Sequence, residues 1–397
     1  MKISIKTLGC KANRYESDLL RKKFADRAEF VGPNEKADIC IVNTCTVTGV
    51  ADRKSRQAVN ALRNLNSGAK VAVFGCGPRI SHEKYRKMLN VDLVATEPQQ
   101  IEDFLEQNLD NAKRPNSPTS GRTRAVIKVQ DGCNNFCTYC IVPHSRGREV
   151  SYPVERIMKE IKEKEKQGFK EIVLTGIHIG HFKQGDLDLA GLVWKILKET
   201  DIPRVRLSSL EPQNFSDEFL KLLKEPRFCR HLHMSLQSGC DEILKKMNRK
   251  YDTKLFADVC KKIRKIAPET AVTTDVITGF PGETEKHHEE SMKFAKEIGF
   301  AKLHVFPFSR RPKTPAYSMP NQVPTDVKRA RADEFRKVGD KLREKFIRDQ
   351  LGKEFPVLVE DHNAGWTNNY IKAKVPPGTP TNEIVCIKLT SKVLSFS

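Results

Sequence analysis

Three closely spaced cysteines are the strongest chemical signal in the chain. Cys133, Cys137 and Cys140, here called the loop triad, have a CxxxCxxC spacing, and Tyr139 precedes the last of them. A loop this short can fold three thiolates around one [4Fe-4S] cube, and three ligands leave the fourth iron without a protein partner. The spacing therefore predicts an iron-sulfur site whose open iron binds a substrate.

A structural zinc ion is the alternative for the loop triad. Structural zinc takes a closed set of four ligands, usually as paired CxxC or Cys/His knuckles. No fourth cysteine follows nearby, and His144 lies only four residues beyond Cys140. The spacing favours the cluster over zinc.

A second set of three cysteines follows strand-like segments near the amino terminus. These apolar segments cover residues 3–8, 38–42 and 70–74. Cys10, Cys45 and Cys76, here called the strand-end triad, come shortly after them and are spaced by roughly one strand-helix-strand repeat. We expect them together at the carboxyl ends of parallel strands, as a second cluster site that is again one ligand short. Three unrelated buried cysteines are the alternative, because free cysteine packs as a small hydrophobe.

Alternating strand-like and helix-like segments predict an α/β fold. Up to about residue 112, the alternation favours a doubly wound parallel sheet. A polar segment rich in Pro and Ser, 110–121, then marks a domain boundary. Beyond it, six strands that alternate with helices predict a partial (βα)6 barrel. The expected strands are 125–129, 171–175, 205–208, 231–236, 271–277 and 302–306, and the expected helices are 154–167, 187–199, 216–224, 253–266 and 285–297.

The carboxyl-terminal part differs in character. A basic helix is expected over about 326–351, with Thr325 as its cap and Gly352 as its stop. Short strands separated by Gly365 and by Pro376-Pro377-Gly378 then predict a small β-barrel. The predicted domains are 1–112, 122–350 and 351–397.

Charge and composition indicate the environment and the partner class. Lys and Arg number 70 against 50 Asp and Glu, a formal net charge of +20. This excess favours nucleic acid as partner, because cations neutralise phosphates and release counterions; a basic enzyme without such a partner is the alternative. Without a long apolar segment or a signal-peptide pattern, the protein is expected to be cytoplasmic, with no membrane partner. In a reducing compartment, its 11 cysteines indicate metal or redox chemistry rather than disulfides.

The order of these features resembles the methylthiotransferase family of radical S-adenosylmethionine (SAM) enzymes over essentially the whole chain. The shared motifs are Thr7-Leu8-Gly9-Cys10, Asn43-Thr44-Cys45-Thr46-Val47, Gly75-Cys76, the loop triad with Gly132 before it, Arg146-Gly147-Arg148-Glu149, Ser235-Leu236-Gln237-Ser238-Gly239 and Gly279-Phe280-Pro281-Gly282-Glu283-Thr284. One segment departs from the family pattern: Gly77-Pro78-Arg79 stands where an aromatic and a small residue are expected.

The resemblance implies two [4Fe-4S] clusters and two SAM molecules. In this family the loop-triad cluster cleaves SAM to a 5′-deoxyadenosyl radical, and the strand-end cluster holds the sulfur that a second SAM methylates. A cofactor is needed because the attacked carbon to hydrogen bond has no accessible pKa, so no catalytic side chain beyond the cluster ligands is predicted. For SAM contacts, strand-end placement and motif match indicate backbone groups at Thr175 and Gly176, together with Glu211, Ser235 and Gln237. Each of these residues can alternatively serve packing alone.

Within the family, the chain resembles the branch that acts on N6-threonylcarbamoyladenosine in tRNA. The segments 9–17, 47–57 and 174–180 carry this resemblance, and Gly365-Trp366-Thr367-Asn368-Asn369-Tyr370 resembles an RNA-binding TRAM domain. The implied reaction is methylthiolation at carbon 2 of the purine next to the anticodon, where single-stranded bases can be splayed into a pocket. The implied partners are the tRNA anticodon stem-loop and an electron donor such as flavodoxin or ferredoxin. Candidate tRNA contacts on the basic helix are Lys328, Arg329, Arg331, Arg336 and Lys337.

Three other functions remain open from the sequence. The substrate can be isopentenyladenosine in tRNA, or an aspartate of a ribosomal protein. A non-catalytic iron-sulfur protein that binds RNA is the alternative from another class; it would bind tRNA without making 5′-deoxyadenosine.

Overall fold

A computed structural model of the chain describes residues 1–89, 91–109, 123–361 and 363–394. The chain divides into two units. Unit 1 contains Met1–Gly121, Gly132–Arg148 and Ser309–Tyr317, and unit 2 contains Arg122–Asp131, Glu149–Phe308 and Ser318–Ser397. One unit can hold more than one domain, so the division into 1–112, 122–350 and 351–397 stays a prediction. Its linker, 110–121, lies outside the described residues.

Unit 1 is built on a five-stranded parallel sheet with the strand order β2-β1-β3-β4-β5. The strands are β1 (Lys2–Thr7), β2 (Glu29–Val31), β3 (Ile39–Thr44), β4 (Lys70–Gly75) and β5 (Leu93–Val94). The helices are α1 (Lys11–Lys23), α2 (Gly49–Leu65), α3 (Cys76–Arg86), α4 (Pro98–Asn108) and α5 (Val142–Arg146), with a 3₁₀ turn at Pro315–Tyr317. The short strands β2 and β5 were not predicted.

Both faces of this sheet are covered. Side chains alternate along a strand, so Ile39 and Ile41 of β3 join one apolar cluster, with Leu105 of α4, while Cys40 and Val42 join the other. Since helices pack on both faces, the sheet is doubly wound and parallel, as predicted.

Six parallel strands form the core of unit 2. One three-stranded sheet has the order β12-β9-β6 and the other β13-β14-β15, and the parallel bridges Val205–Phe228 and Leu210–Met234 lie between them. The strands of this part are β6 (Arg124–Lys128), β7 (Gln130–Asp131), β8 (Val150–Ser151), β9 (Glu171–Thr175), β10 (Lys183–Gln184), β11 (Leu187–Asp188), β12 (Arg204–Leu207), β13 (His231–His233), β14 (Ala271–Thr278) and β15 (Lys302–Pro307). This arrangement agrees with the predicted partial (βα)6 barrel.

The barrel helices alternate with these strands. They are α6 (Val154–Lys166), α7 (Leu189–Glu199), α8 (Asp217–Lys221), α9 (Asp241–Lys246), α10 (Thr253–Ile266), α11 (Glu285–Ile298) and α12 (Thr325–Arg348), with 3₁₀ turns at Ile179–His181, Pro212–Asn214 and Leu222–Lys224. α10 shows why such segments are helical: Asp252 caps its first turn by accepting from the Leu255 amide at 2.8 Å. Its apolar residues Phe256, Val259 and Ile263 follow helical spacing and are buried.

The basic helix α12 begins differently from the prediction. The predicted cap at Thr325 is wrong, because Thr325 is the first helical residue and Pro324 occupies the cap position without a side-chain hydrogen bond. Proline at this point suits a helix start, since its fixed φ is compatible with the turn that enters the helix. Gly352, with φ +83°, lies beyond the end of the helix in the left-handed region, where glycine is favoured.

The carboxyl-terminal segments form an antiparallel sheet with the order β18-β17-β16-β19. Its strands are β16 (Glu354–Asp361), β17 (Ala364–Thr367), β18 (Lys372–Lys374) and β19 (Ile384–Lys388). Gly365 allows β17 and β16 to approach closely, because a Cβ there would lie 2.1 Å from the Leu358 carbonyl oxygen. The strands are those expected of a small β-barrel; closure of the sheet into a barrel stays a prediction.

The terminal sheet packs against the amino ends of the barrel strands within unit 2. Arg204, the first residue of β12, donates to the carbonyl oxygens of Trp366 (2.9 Å) and Thr367 (3.0 Å). Tyr370 stacks on His231, the first residue of β13, with 4.4 Å between ring centroids. The terminal sheet therefore closes the amino end of the barrel.

A buried ion network lies at this closure. Glu171 is 0% exposed, and its carboxylate is 2.7 Å from Arg206 Nε and 2.8 Å from Arg204 Nε. Burial raises the pKa of the Glu171 carboxyl, but the guanidinium groups of Arg206 and Arg204 outweigh burial, so the net shift is downward. The Arg206 guanidinium also lies over the Tyr370 ring, 5.0 Å from its centroid.

In the part of the chain that the structure describes, every helix is too short or too polar to span a lipid bilayer.

Candidate metal centres and cofactor pocket

The strand-end triad lies at the carboxyl edge of the sheet in unit 1. Cys10 is the residue that caps α1 after β1, Cys45 directly follows β3, and Cys76 is the first residue of α3 after β4. In a parallel sheet these three turns share one edge. The structure therefore brings the three predicted ligands to the same edge.

The Asn13 side chain lies between two of these thiols. Its Oδ1 is 3.7 Å from Cys10 Sγ and 4.0 Å from Cys76 Sγ. Its Nδ2 donates to the carbonyl oxygens of Leu8 (2.9 Å) and Thr44 (2.8 Å), where two neighbouring strands end. Asn13 thereby fixes the separation of the first two turns of the triad.

Cys45 lies close to Gly9, the residue that precedes Cys10. Gly9 has φ +101°, and a Cβ there would lie 2.8 Å from Cys45 Cβ. The Ser55 hydroxyl holds the Cys45 backbone, accepting from its amide at 3.0 Å and donating to its carbonyl oxygen at 2.9 Å. The triad is therefore positioned by backbone geometry that tolerates only glycine at position 9.

The protonation state of Cys45 affects which metal centre the strand-end triad can bind. Burial raises the pKa of the Cys45 thiol to about 11, and the nearby thiols of Cys76 and Cys10 act in the same direction. Such a thiol is protonated at neutral pH unless a metal centre stabilises its thiolate. Three thiols at one edge, those of Cys45 and Cys76 buried and that of Cys10 exposed, fit an iron-sulfur cluster, whose iron ions supply that stabilisation.

The segment that departs from the family pattern connects the two triads. Gly77 has no room for a side chain, because a Cβ would lie 2.4 Å from Tyr85 Oη and 2.8 Å from Thr44 Oγ1. Arg79 Nη1 donates to the Ser145 carbonyl oxygen at 3.2 Å. Since Ser145 belongs to α5, which follows the loop triad, Arg79 ties α5 to the helix that begins at Cys76.

The base of the loop triad is closed by two backbone contacts within unit 1. The Cys133 amide donates to the Gly147 carbonyl oxygen at 3.1 Å. Gly132, with φ +69°, leaves no space for a side chain, since a Cβ would lie 1.9 Å from the Arg148 carbonyl oxygen. The loop therefore starts and ends at one point, so its three cysteines lie on a short closed turn.

One backbone amide approaches a loop sulfur, and another closes the turn between two of the cysteines. The Asn135 amide lies 3.4 Å from Cys133 Sγ, in hydrogen-bonding geometry, and the Cys140 amide donates to the Cys137 carbonyl oxygen at 2.9 Å. An N–H group directed at sulfur, like that of Asn135, stabilises thiolate charge in iron-sulfur sites. The donor set and the compact turn fit a cluster.

Thr175 and Gly176 lie where β9 ends, as expected. The Thr175 carbonyl oxygen accepts from the Val129 amide at 2.8 Å, so it already has a backbone partner. A Cβ on Gly176 would lie 2.6 Å from the Gln130 carbonyl oxygen. Glycine therefore lets the turn after β9 lie close to Gln130, the first residue of β7.

A chain of polar contacts links Glu211 to Ser235 across the carboxyl edge of the barrel. Glu211 Oε1 is 2.8 Å from Arg249 Nη2, and Arg249 Nε donates to Tyr251 Oη at 2.9 Å. Tyr251 Oη in turn donates to the Ser235 carbonyl oxygen. Glu211 also faces His178 Nε2 at 3.7 Å, which connects the turn after β9 to this chain.

Gln237 has an unusual backbone conformation. Its φ is +69°, in the left-handed region that non-glycine residues rarely adopt. The strain is held by β14, since the Gln237 amide donates to the Asp275 carbonyl oxygen and its own carbonyl oxygen accepts from the Ile277 amide, both at 2.9 Å. Backbone strain of this kind concentrates at functional sites, where the surrounding structure maintains it.

Sequence reasoning missed His178 as a site residue. His178 is 5% exposed, and in the described part of the chain neither of its ring nitrogens has a hydrogen-bond partner. Its ring lies against His181, whose Nδ1 is 3.2 Å from Glu149 Oε2. The segment 174–180 contains His178, and its resemblance indicates a family branch without indicating a role for this residue. Arg249 and Tyr251 carry no sequence signal.

These histidines do not form a metal site in this arrangement. The ligand atoms of Glu149, His178 and His181 lie within 4.8 Å of one another. However, the His178 and His181 ring centroids are only 3.8 Å apart. Two imidazoles that bind one zinc ion at about 2 Å hold their centroids roughly 5 Å apart. The three residues therefore form a polar cluster rather than a metal centre.

Acid is expected to destabilise the protein through His178. Burial lowers the pKa of His178 to about 4 from 6.5, against the raising effect of Glu211. Between these values the unfolded chain binds a proton that the folded chain does not, so stability falls as the pH drops from 6.5 towards 4. Urea unfolding at pH 7 and pH 5 should show that His178→Asn removes about 2 kcal/mol of the loss seen in the unmodified protein. Equal losses in both proteins would contradict this assignment.

Comparison with known proteins first defines the class. The Radical SAM superfamily matches residues 127–295, and Uncharacterized protein family UPF0004 matches residues 2–96. The fold is similar to that of a radical S-adenosylmethionine methyltransferase, TsrM, from Kitasatospora setae, with a TM-score of 0.57 at 14% identity, covering 79% of this chain and 76% of that one. The fold is that of a radical SAM enzyme.

Relatives of similar length define the family. The chain is 37% identical to the threonylcarbamoyladenosine tRNA methylthiotransferase MtaB of Chlamydia pneumoniae, over 89% of this chain and 85% of the relative. It is equally similar to that of Thermotoga maritima, over 90% and 86%. It is 33% identical to the tRNA-2-methylthio-N(6)-dimethylallyladenosine synthase of Endomicrobium trichonymphae, over 95% and 92%. The chain belongs to the methylthiotransferase family of radical SAM enzymes, whose cofactors are [4Fe-4S] clusters and SAM.

Proposed function

We propose that this enzyme inserts a methylthio group at carbon 2 of N6-threonylcarbamoyladenosine, next to the anticodon of tRNA. The observation that carries the proposal is the similarity to MtaB enzymes, which are 34–37% identical over about nine tenths of the chain. Relatives named for dimethylallyladenosine are 33% identical.

The polar cluster of Glu149, His178 and His181 supports the same choice of substrate. A threonylcarbamoyl group has hydroxyl, carboxylate and carbamoyl atoms, whereas a dimethylallyl group has no atom that hydrogen-bonds. His178 is buried, and among the described residues neither of its ring nitrogens has a hydrogen-bond partner. If the substituent binds beside His178, a dimethylallyl group would leave both nitrogens without a partner. A site of this kind discriminates strongly against a substrate that lacks the matching polar atoms.

The two triads are assigned to two [4Fe-4S] clusters, Cys133, Cys137 and Cys140 to one, and Cys10, Cys45 and Cys76 to the other. When bound, the first supplies the electron that cleaves SAM and the second supplies the sulfur that is transferred. The protein holds and orients the reactants at the carboxyl edge of the barrel. We assign SAM contacts to Thr175, Gly176, Glu211, Ser235 and Gln237, with the Glu211 carboxylate as acceptor for the SAM ammonium group.

We expect the tRNA to contact unit 2, and the burial of side chains on α12 reduces the number of candidate contact residues. Arg331 is buried, with its guanidinium 2.9 Å from Glu283 and 3.0 Å from Glu285, so we remove it from the tRNA contacts. Arg329, Arg336 and Lys337 are exposed on α12 and stay candidates for the anticodon stem-loop. An electron donor such as flavodoxin or ferredoxin and a cytoplasmic location complete the proposal.

Mass analysis of tRNA nucleosides tests the substrate. A strain without the gene should lack 2-methylthio-N6-threonylcarbamoyladenosine, and the unmodified gene should restore it while a Cys45→Ala gene does not. Loss of the dimethylallyl nucleoside instead, or of a modified ribosomal-protein aspartate, would contradict the proposal. An intact nucleoside profile and no 5′-deoxyadenosine from the purified protein would indicate a non-catalytic RNA-binding protein.

A further inference from the structure

We propose that Arg146 sets the reduction potential of the cluster held by the strand-end triad and positions that cluster relative to the loop triad. The inference rests on the proposed assignment of Cys10, Cys45 and Cys76 to a cluster. It gives a specific role to a residue that ligates no metal and lies outside the candidate SAM contacts.

The Arg146 guanidinium contacts one of the cluster thiols directly. Arg146 Nε lies 3.3 Å from Cys76 Sγ, in hydrogen-bonding geometry, and the side chain is only 1% exposed. One of its terminal nitrogens donates to Asn13 Oδ1, the atom that lies between Cys10 Sγ and Cys76 Sγ. The guanidinium therefore reaches two of the three turns of the triad.

A carboxylate partly balances this charge. Glu16 accepts from both terminal nitrogens of Arg146, with Nη2 at 3.2 Å from Glu16 Oε2. The Glu16 side chain is 12% exposed, so the pair is poorly screened by water. Cys76, Arg146 and Glu16 thus form a row of alternating charge whenever Cys76 is a thiolate.

The position of Arg146 follows from the local fold. It is the last residue of α5, and Gly147, with φ +74°, ends the helix directly after it. The preceding carbonyl oxygen, of Ser145, accepts from Arg79, and the following one, of Gly147, accepts from the Cys133 amide. Arg146 is therefore held between the base of the loop triad and the strand-end triad, so its contact with Cys76 ties the two together.

Electrostatics gives the direction of the effect on potential. Arginine stays protonated under all relevant conditions. A buried positive charge and an N–H group directed at a cluster sulfur both stabilise the more negative, reduced cluster, so they raise its reduction potential. The negative charge of Glu16 lowers the reduction potential. Removing Arg146 should lower the potential, and removing the Glu16 charge should raise it.

The test uses a chain in which Cys133, Cys137 and Cys140 are alanine, so that only the strand-end cluster is reconstituted. Its midpoint potential is measured by redox titration followed by electron paramagnetic resonance. At a fixed potential, Arg146→Gln should lower the reduced-to-oxidised ratio about tenfold, equivalent to about 59 mV for one electron. Glu16→Gln should change the ratio in the opposite direction. Arg146→Lys, which keeps the charge, should show a smaller change than Arg146→Gln.

Arg148→Gln is the matched control. Arg148 lies two residues further on, is exposed, and its guanidinium lies over the Phe136 ring, 4.9 Å from its centroid, so its replacement should leave the midpoint unchanged. Absence of iron from the parent chain would overturn the cluster assignment itself. A loaded cluster whose midpoint is the same in the parent, Arg146→Gln and Glu16→Gln would overturn the role of Arg146. If the Arg146→Gln protein fails to bind iron, the midpoint potential of Glu16→Gln is the test of the role of Arg146. A Glu16→Gln midpoint that is lower than that of the parent, or equal to it, would overturn the inference.

Discussion

Alanine at Cys133, Cys137 and Cys140 is expected to abolish reductive cleavage of SAM and to remove about half of the protein's iron. Two four-iron cubes correspond to about eight irons per chain, and the substitution removes the ligands of one cube. Anaerobic reconstitution followed by iron and sulfide analysis, together with chromatographic measurement of 5′-deoxyadenosine, checks both parts. Loss of all the iron, or of none, would contradict the existence of two separate sites.

The complementary substitution separates the roles of the two triads. Alanine at Cys10, Cys45 and Cys76 should abolish methylthiolated tRNA while leaving some cleavage of SAM, because electron delivery to SAM is assigned to the other cluster. Cys386→Ala is the matched control, since Cys386 is an exposed residue of β19, a strand of the terminal sheet, and its loss should change neither iron content nor cleavage. Methylthiolation at a normal rate without the strand-end triad would refute the assignment of sulfur delivery.

Glu171→Gln is expected to destabilise the protein by about 3–5 kcal/mol. The substitution keeps the shape of the side chain but removes the charge that compensates two buried guanidinium groups, those of Arg204 and Arg206. Leaving buried charges without their partner is among the largest effects of a single substitution. Urea unfolding at pH 7 of the purified protein measures the change.

Glu199→Gln serves as the control for this measurement. The Glu199 side chain, near the end of α7, is 35% exposed and pairs with Lys195 on the surface. Exposed ion pairs contribute little, so the free energy of unfolding should change much less than for Glu171→Gln. A similar small change for Glu171→Gln would mean that water reaches the buried network or that the arginines find other partners.

The placement of the strand-end cysteines could be predicted because its signal is local; their role as cluster ligands stays a prediction. Cys10, Cys45 and Cys76 each follow an apolar strand, and parallel strands bring their carboxyl ends to one edge whatever the details of packing. The same reasoning placed Thr175 correctly at the end of β9. Periodicity also predicted α10 over residues 253–266, since an amphipathic pattern and an Asp cap occur together there.

Other features depend on contacts between distant parts of the chain, which periodicity does not contain. Arg331 is a charged residue on a basic helix, so the sequence predicts that it lies on the surface. It is buried because Glu283 and Glu285 face it from the start of α11. Arg249 reaches Glu211 from a loop well removed in sequence. Nothing in the residues around Arg146 indicates that it reaches Cys76, because that contact exists only after α5 packs against α3.

The terminal sheet has a consequence for how RNA binding can be separated from catalysis. Arg204 and Tyr370 join this sheet to the same strands whose opposite ends carry the candidate SAM contacts. A truncation after Leu351 would therefore remove the contacts of the terminal sheet with the amino ends of the barrel strands, as well as the segment proposed to bind RNA. RNA affinity could be changed separately from catalysis only by substitutions on the outward surface of the terminal sheet. A shortened enzyme that does not bind tRNA would need other residues to cover the amino ends of the barrel strands.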